Sequence, residues 1–299
     1  MISDQMRTEQ LEECNICGAA DLEIVDADCA IARCRVCGYV FNNPRPAYEE
    51  LVKFYSRPSQ YDSWLKELPE RQRTWTHRLR RLSSTRKPGS LLDVGTGIGQ
   101  FLDVARGSFT EIYGTEVSPV AIRIADERYG LKLFQGTIDD IEWGDLKFDN
   151  LSLFHVLEHV TDPPSTIAKC HSLLVDNGVL VIAVPNEVFS LRAILRRKLT
   201  EAGLMNSSRL GKFGLPRISL SAESAEVHLS HFTPKVLDRL LQAAGFTVAV
   251  RTLDPYFIST GIPRLKATAY YYFCLGLKYV TGINFYDTML VIARKKPLI

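Results

Sequence analysis

Four cysteines near the N-terminus have the spacing of a metal site. Cys14 and Cys17 form one C-x2-C pair, and Cys34 and Cys37 form a second pair after sixteen intervening residues. Each pair bends back on itself, so that two pairs together present four thiolates to one tetrahedral ion. Because four thiolates complete the coordination shell of Zn2+, the pattern predicts a structural zinc site.

A second group of metal-binding residue types lies in the segment FHVLEHVTDPP. His155, Glu158 and His159 follow the order H-x-x-E-H, which on a helix surrounds a hydrolytic zinc ion. The two prolines that close the segment leave at most one helical turn after a strand, so the order disfavours a peptidase. Two interpretations stay open: Glu158 and His159 brace a loop beside a bound ligand, or they bind a divalent cation.

A glycine-rich loop, LLDVGTGIGQF, follows the first buried strand pattern. It carries Asp93, Gly95, Gly97 and Gly99, and glycines at this place let a ligand approach the backbone at a helix N-terminus. A dinucleotide fingerprint would need its third glycine at Gln100. A carboxylate two residues before the first glycine repels a pyrophosphate, but it suits a cationic ligand such as S-adenosyl-L-methionine.

An acidic residue ends the next strand pattern. Glu116 lies 21 residues after Gly95, and an acid at this place accepts hydrogen bonds from both ribose hydroxyls of an adenosine. The loop, the spacing and the strand context therefore agree on a cofactor that joins an adenosine to a positive charge.

Two further histidines occur in the segment EVHLSHF. His228 and His231 precede a helix that opens at Thr233 with a proline in its first turn. An imidazole titrates near neutral pH and can remove a proton from a hydroxyl group. We expect His231 to be the base, because the rigid sequence after it fixes its position. His228 and His155 are further catalytic candidates, and a purely structural role for His228 stays open.

The elements that must position these residues alternate between strand and helix. Seven apolar segments predict strands: SLLDVG, EIYGTEV, LKLFQG, FDNLSLF, VLVIAVP, FTVAVRTL and YDTMLVIARK. Strands that alternate with helices predict an α/β fold, with a Rossmann-like, seven-stranded and mostly parallel sheet covered by helices on both faces. A small zinc-ribbon-like module precedes it.

Changes in composition predict three regions. Residues 1–46 form the zinc-binding module, residues 47–88 a helical linker or lid, and residues 89–299 the main domain. Two insertions are expected in the main domain, near 187–227 and 254–286.

Composition excludes several classes of protein. The chain has 299 residues, 46% of them hydrophobic, and a net charge of +2, which gives no warrant for bulk affinity to nucleic acid. The N-terminus has no apolar signal region, and the longest apolar run is shorter than the roughly 20 residues that span a bilayer. We therefore expect a cytoplasmic protein.

Five motifs in order, LLDVGTGIG, GTEVSP, HVLEHVTDP, LLVDNGVLVIAVPN and HLSHFTPKVLDRLLQAAGF, resemble those of class I S-adenosylmethionine-dependent methyltransferases. The glycine loop would then hold the methionine end, Glu116 the ribose, and Thr137 with Ile138 the adenine. Phe154 and His155 would border the methyl donor. The full set of cofactor-binding residues that the resemblance implies is Asp93, Gly95, Thr96, Gly97, Gly99, Glu116, Val117, Thr137, Ile138, Phe154 and His155.

The string RCRVCGYVFNNPRP is similar to a zinc-binding module of methyltransferases that act on nucleotide-linked deoxysugars, and of relatives from polysaccharide gene clusters. Those enzymes use the module to cover the substrate. The chain is too short for the extra C-terminal domain of the C-methylating members. The resemblance therefore implies O-methylation of a small molecule. The methylated group would be a hydroxyl of a sugar or of a nucleotide- or lipid-linked saccharide.

The segment LEH is also similar to ubiquinone-biosynthesis O-methyltransferases, which implies the divalent-cation interpretation of Glu158 and His159. This chain, however, has His155 where those enzymes have an additional acid.

Two alternative functions stay open. Residues 66–87 contain eight Lys or Arg, which favours an RNA base methyltransferase, whereas residues 14–37 carry four acids against two arginines, which disfavours nucleic acid. The chain could instead be a non-catalytic interaction protein that only binds the cofactor.

The insertions raise the question of what lies over the site. The basic, amphipathic segment with Arg192, Arg196, Arg197 and Lys198 is either a solvated surface or a lid that meets phosphates of the substrate. The aromatic run 270–273 is expected in a core, or against a partner chain or lipid headgroups. The oligomeric state stays open.

Overall fold

The structure, a computed structural model, describes residues 6–82, 85–204, 210–221, 226–255 and 257–297. Parts of the two predicted insertions, residues 205–209, 222–225 and 256, lie outside the described residues. Within the described part of the chain, no helix is long and apolar enough to cross a membrane.

The N-terminal region is a small antiparallel module. Its five strands are β1 (Thr8–Glu9), β2 (Leu22–Asp26), β3 (Ile31–Cys34), β4 (Val40–Asn42) and β5 (Arg45–Pro46). The first and last of these pair with each other, and the middle three form one sheet. A fourth strand of that sheet, Ser230–His231, comes from far along the chain and pairs with β4. The module is therefore joined to the rest of the molecule by main-chain hydrogen bonds.

Three helices connect the module to the main sheet. They are α1 (Tyr48–Tyr55), α2 (Asp62–Lys66) and α3 (Leu68–Leu82), with a 3-10 turn at Pro58–Tyr61.

The main domain continues the alternation that the sequence predicts. Its first half contains β6 (Ser90–Val94), α4 (Gln100–Ala105), β7 (Glu111–Glu116), α5 (Pro119–Tyr129), β8 (Phe134–Gln135), β9 (Phe148–Phe154), α6 (Pro163–Leu173) and β10 (Leu174–Pro185). Its second half contains α7 (Leu191–Glu201), β11 (Ser230–His231), α8 (Pro234–Ala243), β12 (Phe246–Leu253), α9 (Gly261–Thr281) and β13 (Thr288–Lys295).

The seven predicted strands form one sheet in the order β12-β13-β10-β9-β6-β7-β8. Only β13 runs antiparallel to its neighbours, so the predicted mostly parallel, Rossmann-like sheet is confirmed. Alternate side chains of β10 enter two separate cores: Leu180 and Ile182 pack on one face, and Val179 and Val181 on the other. A strand buried on both faces explains the unbroken apolar run VLVIAVP.

Helix starts follow the expected capping chemistry. The Ser118 side chain accepts a hydrogen bond from the Ala121 N–H at the start of α5, and Thr233 caps α8 through the Val236 N–H. The sequence pattern predicts that α6 runs on to Gly178, but the helix ends at Leu173. Leu174 already pairs with β9 there, so strand pairing overrides the helical pattern.

Candidate active site

The carboxyl ends of the parallel strands open into a cavity of about 580 Å3. The last residues of four neighbouring strands line it: Val94 of β6, Glu116 of β7, Phe154 of β9 and Pro185 of β10. Ligands of open α/β sheets bind at this edge. The helices α1, α2 and α3 close the cavity from the opposite side, since residues between Tyr48 and Arg78 also line it.

The glycine loop forms one wall of the cavity. Gly95 and Gly97 have positive φ angles of 64° and 59°, which side chains rarely adopt. A Cβ atom at Gly97 would lie 2.7 Å from the ring of Trp64 on α2, and one at Gly95 would lie 2.8 Å from Val156. The loop therefore needs glycine both for its backbone and for the space above it.

The Glu116 side chain is fixed at the rim of this loop. Its two carboxylate oxygens accept hydrogen bonds from the Gly97 N–H at 2.8 Å and from the Ser118 N–H at 2.9 Å. Burial raises the pKa of Glu116, and these backbone donors counteract that shift. The carboxylate is thus held where a ligand in the cavity meets it.

Most of the predicted cofactor residues reach the cavity. Eight of them line it: Gly95, Gly97, Glu116, Val117, Thr137, Ile138, Phe154 and His155. Asp93, Thr96 and Gly99 lie behind this wall and are not part of the lining. Gly99, with a φ of 81°, is the residue before the first turn of α4.

Asp93 is buried directly behind the loop. It is 3% exposed and accepts a hydrogen bond from the Ser152 hydroxyl at 2.6 Å. Burial raises its pKa to about 6, although the Ser152 hydrogen bond lowers it. A nearby positive charge would favour its ionised form, as expected beside a cationic ligand.

A buried arginine joins the helical cover to the sheet. Arg78 of α3 is fully buried, and its guanidinium forms a two-pronged ion pair with Asp254, after β12, with Nε–O distances of 3.0 and 3.2 Å. The same guanidinium lies over the rings of Trp75 and Phe154. Arg78 also donates to His155 Nε2 at 2.9 Å.

His155 lines the cavity, but both of its ring nitrogens are engaged. Because a guanidinium only donates, the contact with Arg78 assigns the lone pair to Nε2. The proton is then on Nδ1, which donates to Glu158 Oε1 at 3.2 Å. This side chain is therefore held as an orienting group between an arginine and a carboxylate.

His159, one turn further on, also lines the cavity. Its Nδ1 donates to the Val227 carbonyl at 2.6 Å and lies 2.9 Å from the Tyr55 hydroxyl. Since Nδ1 carries the proton, Nε2 has the lone pair. Burial, followed by the repulsion of His228, lowers the pKa of His159 despite the nearby Glu158, so the ring is neutral at physiological pH.

The histidines that the sequence favours as bases lie outside the cavity lining. His231 is 2% exposed, with Nδ1 2.7 Å from Glu187 Oε2 and Nε2 3.1 Å from Asn42 Oδ1. His228 Nδ1 donates to the other oxygen of Glu187 at 2.9 Å. Glu187 thus brings the two histidines together, and His231 ties β11 to the N-terminal module.

A cluster of metal-binding groups forms beside His159. One ligand atom each of Glu158, His159 and His228 lies within 4.8 Å of the others. Glu158 Oε2 and His228 Nε2 are buried, and neither has a hydrogen-bond partner among the residues that the structure describes. Glu226 Oε2 lies 3.5 Å from His228 Nε2. Two imidazoles and a carboxylate fit a first-row transition metal better than magnesium.

The four predicted zinc ligands converge in the N-terminal module. The Sγ atoms of Cys14 and Cys37 lie 3.6 Å apart, as do those of Cys17 and Cys34. Thiolates at the corners of a zinc tetrahedron are about 3.8 Å apart, given Zn–S bonds of about 2.3 Å. Burial raises the pKa of Cys37 to about 11, so a cation is needed to keep that sulfur ionised. The donor set therefore fits Zn2+.

The family of the chain follows from comparison with known proteins. Residues 68–250, more than half of the chain, match the model of a family described as a methyltransferase domain. The chain belongs to this family. The matched segment begins within the helical cover, at the first residue of α3, and ends in β12. The match confirms the methyltransferase class that the sequence motifs predict.

Two curated relatives match parts of the methyltransferase domain. The ubiquinone biosynthesis O-methyltransferase of Haemophilus ducreyi is 30% identical over 106 residues, which cover 32% of this chain and 45% of the relative. That of Histophilus somni is 43% identical over 49 residues, which cover 16% of this chain and 21% of the relative. The chain thus aligns with less than half the length of either relative.

A solved structure supports the fold of the methyltransferase domain. A SAM-dependent methyltransferase from Thermotoga maritima superimposes with a TM-score of 0.53 and 15% identity. The superposition covers 82% of this chain and 100% of the other.

Several residues of the site were missed by the sequence analysis. Trp64, Arg78 and Glu226 line the cavity, Asp254 pairs with Arg78, and Glu187 contacts two histidines outside the lining. Glu187 follows β10 by two residues, at the ligand-binding edge of the sheet, and this position could have drawn attention to it. Asp254 is revealed only by its buried ion pair with α3.

Proposed function

We propose that the protein transfers the methyl group of S-adenosyl-L-methionine to a hydroxyl group of a small molecule. The observation that carries this proposal is the continuity of one cavity. The same lining includes the glycine loop and Glu116 at the cofactor wall, and His159 and Glu226 beyond Phe154. A donor and an acceptor can thus occupy one continuous cavity.

The cofactor wall fits S-adenosyl-L-methionine. The backbone of Gly95 and Gly97 admits a close ligand, Glu116 would accept the ribose hydroxyls, and Thr137 with Ile138 would meet the adenine. Asp93, behind the wall, supplies the negative charge that a cationic ligand needs. When bound, the cofactor supplies a methyl group on a positively charged sulfur. The helical segment 48–78 is the lid of this site in our proposal, since Trp64 and Trp75 line the cavity beside the glycine loop.

The protein aligns the acceptor and removes its proton. His159 is the general base in this proposal, because its Nδ1 proton is fixed on the Val227 carbonyl while Nε2 keeps its lone pair. Arg78 and Glu158 hold the His155 ring in place, and this ring forms the cavity lining beside the methyl donor. His231 has a structural role here, since both of its nitrogens are engaged away from the cavity.

The acceptor is a polyhydroxylated molecule, in our proposal a sugar or a nucleotide- or lipid-linked saccharide. Hydrogen-bonding groups suited to hydroxyls line the cavity: Tyr48, Asp139, Asp140, Asp162, Ser165 and Glu226. The two curated relatives are O-methyltransferases by name, which also favours a hydroxyl acceptor.

A metal-assisted version of the same reaction is the second candidate. The buried Glu158 Oε2 favours it, since this oxygen has no hydrogen-bond partner among the described residues and a cation would satisfy it. Glu158, His159 and His228 would hold the ion, which would lower the pKa of an acceptor hydroxyl when bound.

A structural zinc ion in the N-terminal module completes the proposal. Cys14, Cys17, Cys34 and Cys37 would hold it. Asn15, within the first knuckle, donates to the Thr161 carbonyl of the cavity loop at 3.3 Å. The module would thereby support the acceptor side of the cavity.

One experiment tests the donor and the acceptor together. The purified protein is incubated with S-adenosyl-L-methionine that carries an isotopically labelled methyl group, and with separate panels of nucleotide-linked sugars, lipid-linked saccharides, catechols and RNA. We expect label in one saccharide class. Label in RNA would replace the acceptor assignment, and tight cofactor binding without a labelled product in any panel would favour a non-catalytic interaction protein. Addition of a chelator separates the His159 base from the metal-assisted version.

A further inference from the structure

The outer face of α9 is an exposed apolar stripe. Seven large apolar side chains on α9 or just after it are between 40% and 93% exposed: Ile262, Leu265, Tyr272, Phe273, Tyr279, Val280 and Ile283. Within the described part of the chain, no other helix exposes as many. Scattered apolar side chains are normal on a surface, but a contiguous group of this size marks a binding face.

The stripe follows the helical repeat along the whole length of α9. Exposed positions 262, 265, 269, 272, 276 and 279 alternate in steps of three and four, which places them on one side. On the opposite side, Tyr271 and Cys274 are buried against Leu253 and Tyr286. The helix is therefore anchored to the sheet by one face and presents the other outward.

Charge decides what the stripe binds. The 21 residues of α9 include three cations, Arg264, Lys266 and Lys278, and no acid. The adjoining α7 carries four cations against Glu201 alone. The two helices are neighbours, because the Arg192 guanidinium lies 3.8 Å from the centre of the Tyr270 ring. Seven cations and one acid thus concentrate in two helices of a chain whose net charge is only +2.

We propose that α9 docks in the plane of an anionic lipid bilayer, with its apolar stripe in the acyl boundary and with Arg264 and Lys266 at the headgroups, whereas Lys278 donates to the Arg251 carbonyl of the protein. The exposed rings of Tyr272 and Tyr279 suit this boundary, since one end of a tyrosine is apolar and the other is polar. A second copy of the chain fits less well, because a symmetric contact would bring two cationic surfaces together. The proposal is independent of the methyl-transfer function.

The test is flotation of the full-length, zinc-loaded protein with lipid vesicles. Vesicles of phosphatidylglycerol and phosphatidylcholine in equal parts are compared with vesicles of phosphatidylcholine alone. We expect binding to the anionic vesicles and a loss of binding on the order of tenfold or more on the neutral ones. Leu265→Glu with Tyr279→Glu should abolish binding. The matched control, Ile24→Glu with Leu146→Glu, changes two exposed apolar residues elsewhere and should bind like the unchanged protein.

Lys266→Glu tests the electrostatic contribution to binding apart from the apolar contribution. It should weaken binding to anionic vesicles while leaving the thermal stability unchanged. Light scattering of the lipid-free protein provides the counter-test. A stable dimer that Tyr279→Glu dissociates, together with no vesicle binding, would overturn the proposal in favour of a contact between copies. Equal binding of the control pair and the α9 pair would also overturn it.

Discussion

The Trp64 ring lies directly over Gly97 of the glycine loop. A Cβ atom on Gly97 would lie 2.7 Å from that ring. The two residues belong to different regions of the chain, the glycine loop and the helical cover. Their contact shows that the cover closes onto the loop without room for a side chain.

The first prediction follows from this contact. Gly97→Ala should weaken the binding of S-adenosyl-L-methionine by about tenfold or more, because the new methyl group meets Trp64 and the positive φ strains an alanine by about 1–2 kcal/mol. Calorimetric titration measures the affinity. Gly107→Ala, where a Cβ meets open space, is the matched control and should bind normally. Unchanged affinity in Gly97→Ala would place the cofactor elsewhere.

The second prediction concerns pH. The folded-state pKa of Asp93 is about 6, above its ordinary value of 3.8, because the carboxyl is buried. In the cofactor-free protein, the unfolded chain therefore loses this proton at lower pH than the folded protein does. The free energy of unfolding should thus decrease as pH rises from about 4 to about 6. Asp93→Asn should raise the melting temperature at pH 7 relative to the unchanged protein, and it should remove the stabilisation by the cofactor.

The same carboxylate should make cofactor binding pH-dependent. A cationic ligand favours the ionised form, so the affinity should fall as pH decreases through about 6. Calorimetry at several pH values, with Asp93→Asn as the flat reference, measures this slope. An affinity that does not change between pH 5 and 7, values on either side of that pKa, would argue against a charge contact.

The third prediction distinguishes the histidines. His159→Gln should reduce kcat by roughly 10²–10⁴-fold with cofactor affinity unchanged, as expected for loss of a general base. His231→Gln should mainly lower the melting temperature, because it removes the imidazole whose Nδ1 contacts Glu187 Oε2. If His231→Gln abolishes turnover at unchanged stability, the base is the histidine that the sequence favours.

The fourth prediction concerns zinc. Cys34→Ser should release one zinc ion per chain and lower the melting temperature, because a small module depends on its metal for folding. Elemental analysis measures the metal. Cys274→Ser, in the separate core under α9, is the control and should retain zinc. Absence of stoichiometric zinc in the unchanged protein would refute the site.

The fifth prediction tests how the cover is attached. Asp254→Ala should destabilise the protein by about 3–5 kcal/mol, because it leaves the fully buried Arg78 without its main counter-charge. Asp238→Ala, which breaks a more exposed pair with Arg251, should cost about 0–1 kcal/mol. Denaturant unfolding measures both. Equal effects would mean that α3 is held by its ring contacts instead.

Residue type and spacing were enough to predict the sheet and the position of the glycine loop at its edge. Alternating buried strands and capped helices are local patterns, and the glycines of the loop record a backbone requirement at each position. For this reason the seven strands, the Glu116 strand end and the four clustered cysteines could all be recognised from residue type and spacing.

Contacts between distant parts of the chain determine which histidines line the cavity, and these contacts cannot be read from the sequence. His155, His159, His228 and His231 have the same chemistry, and their spacing says nothing about which ring nitrogen is engaged. That choice depends on partners far along the chain, such as Glu187 for His231, Val227 for His159 and Arg78 for His155. Long-range burial and hydrogen bonding assign these roles, because side-chain direction is set by packing between elements that the chain order separates.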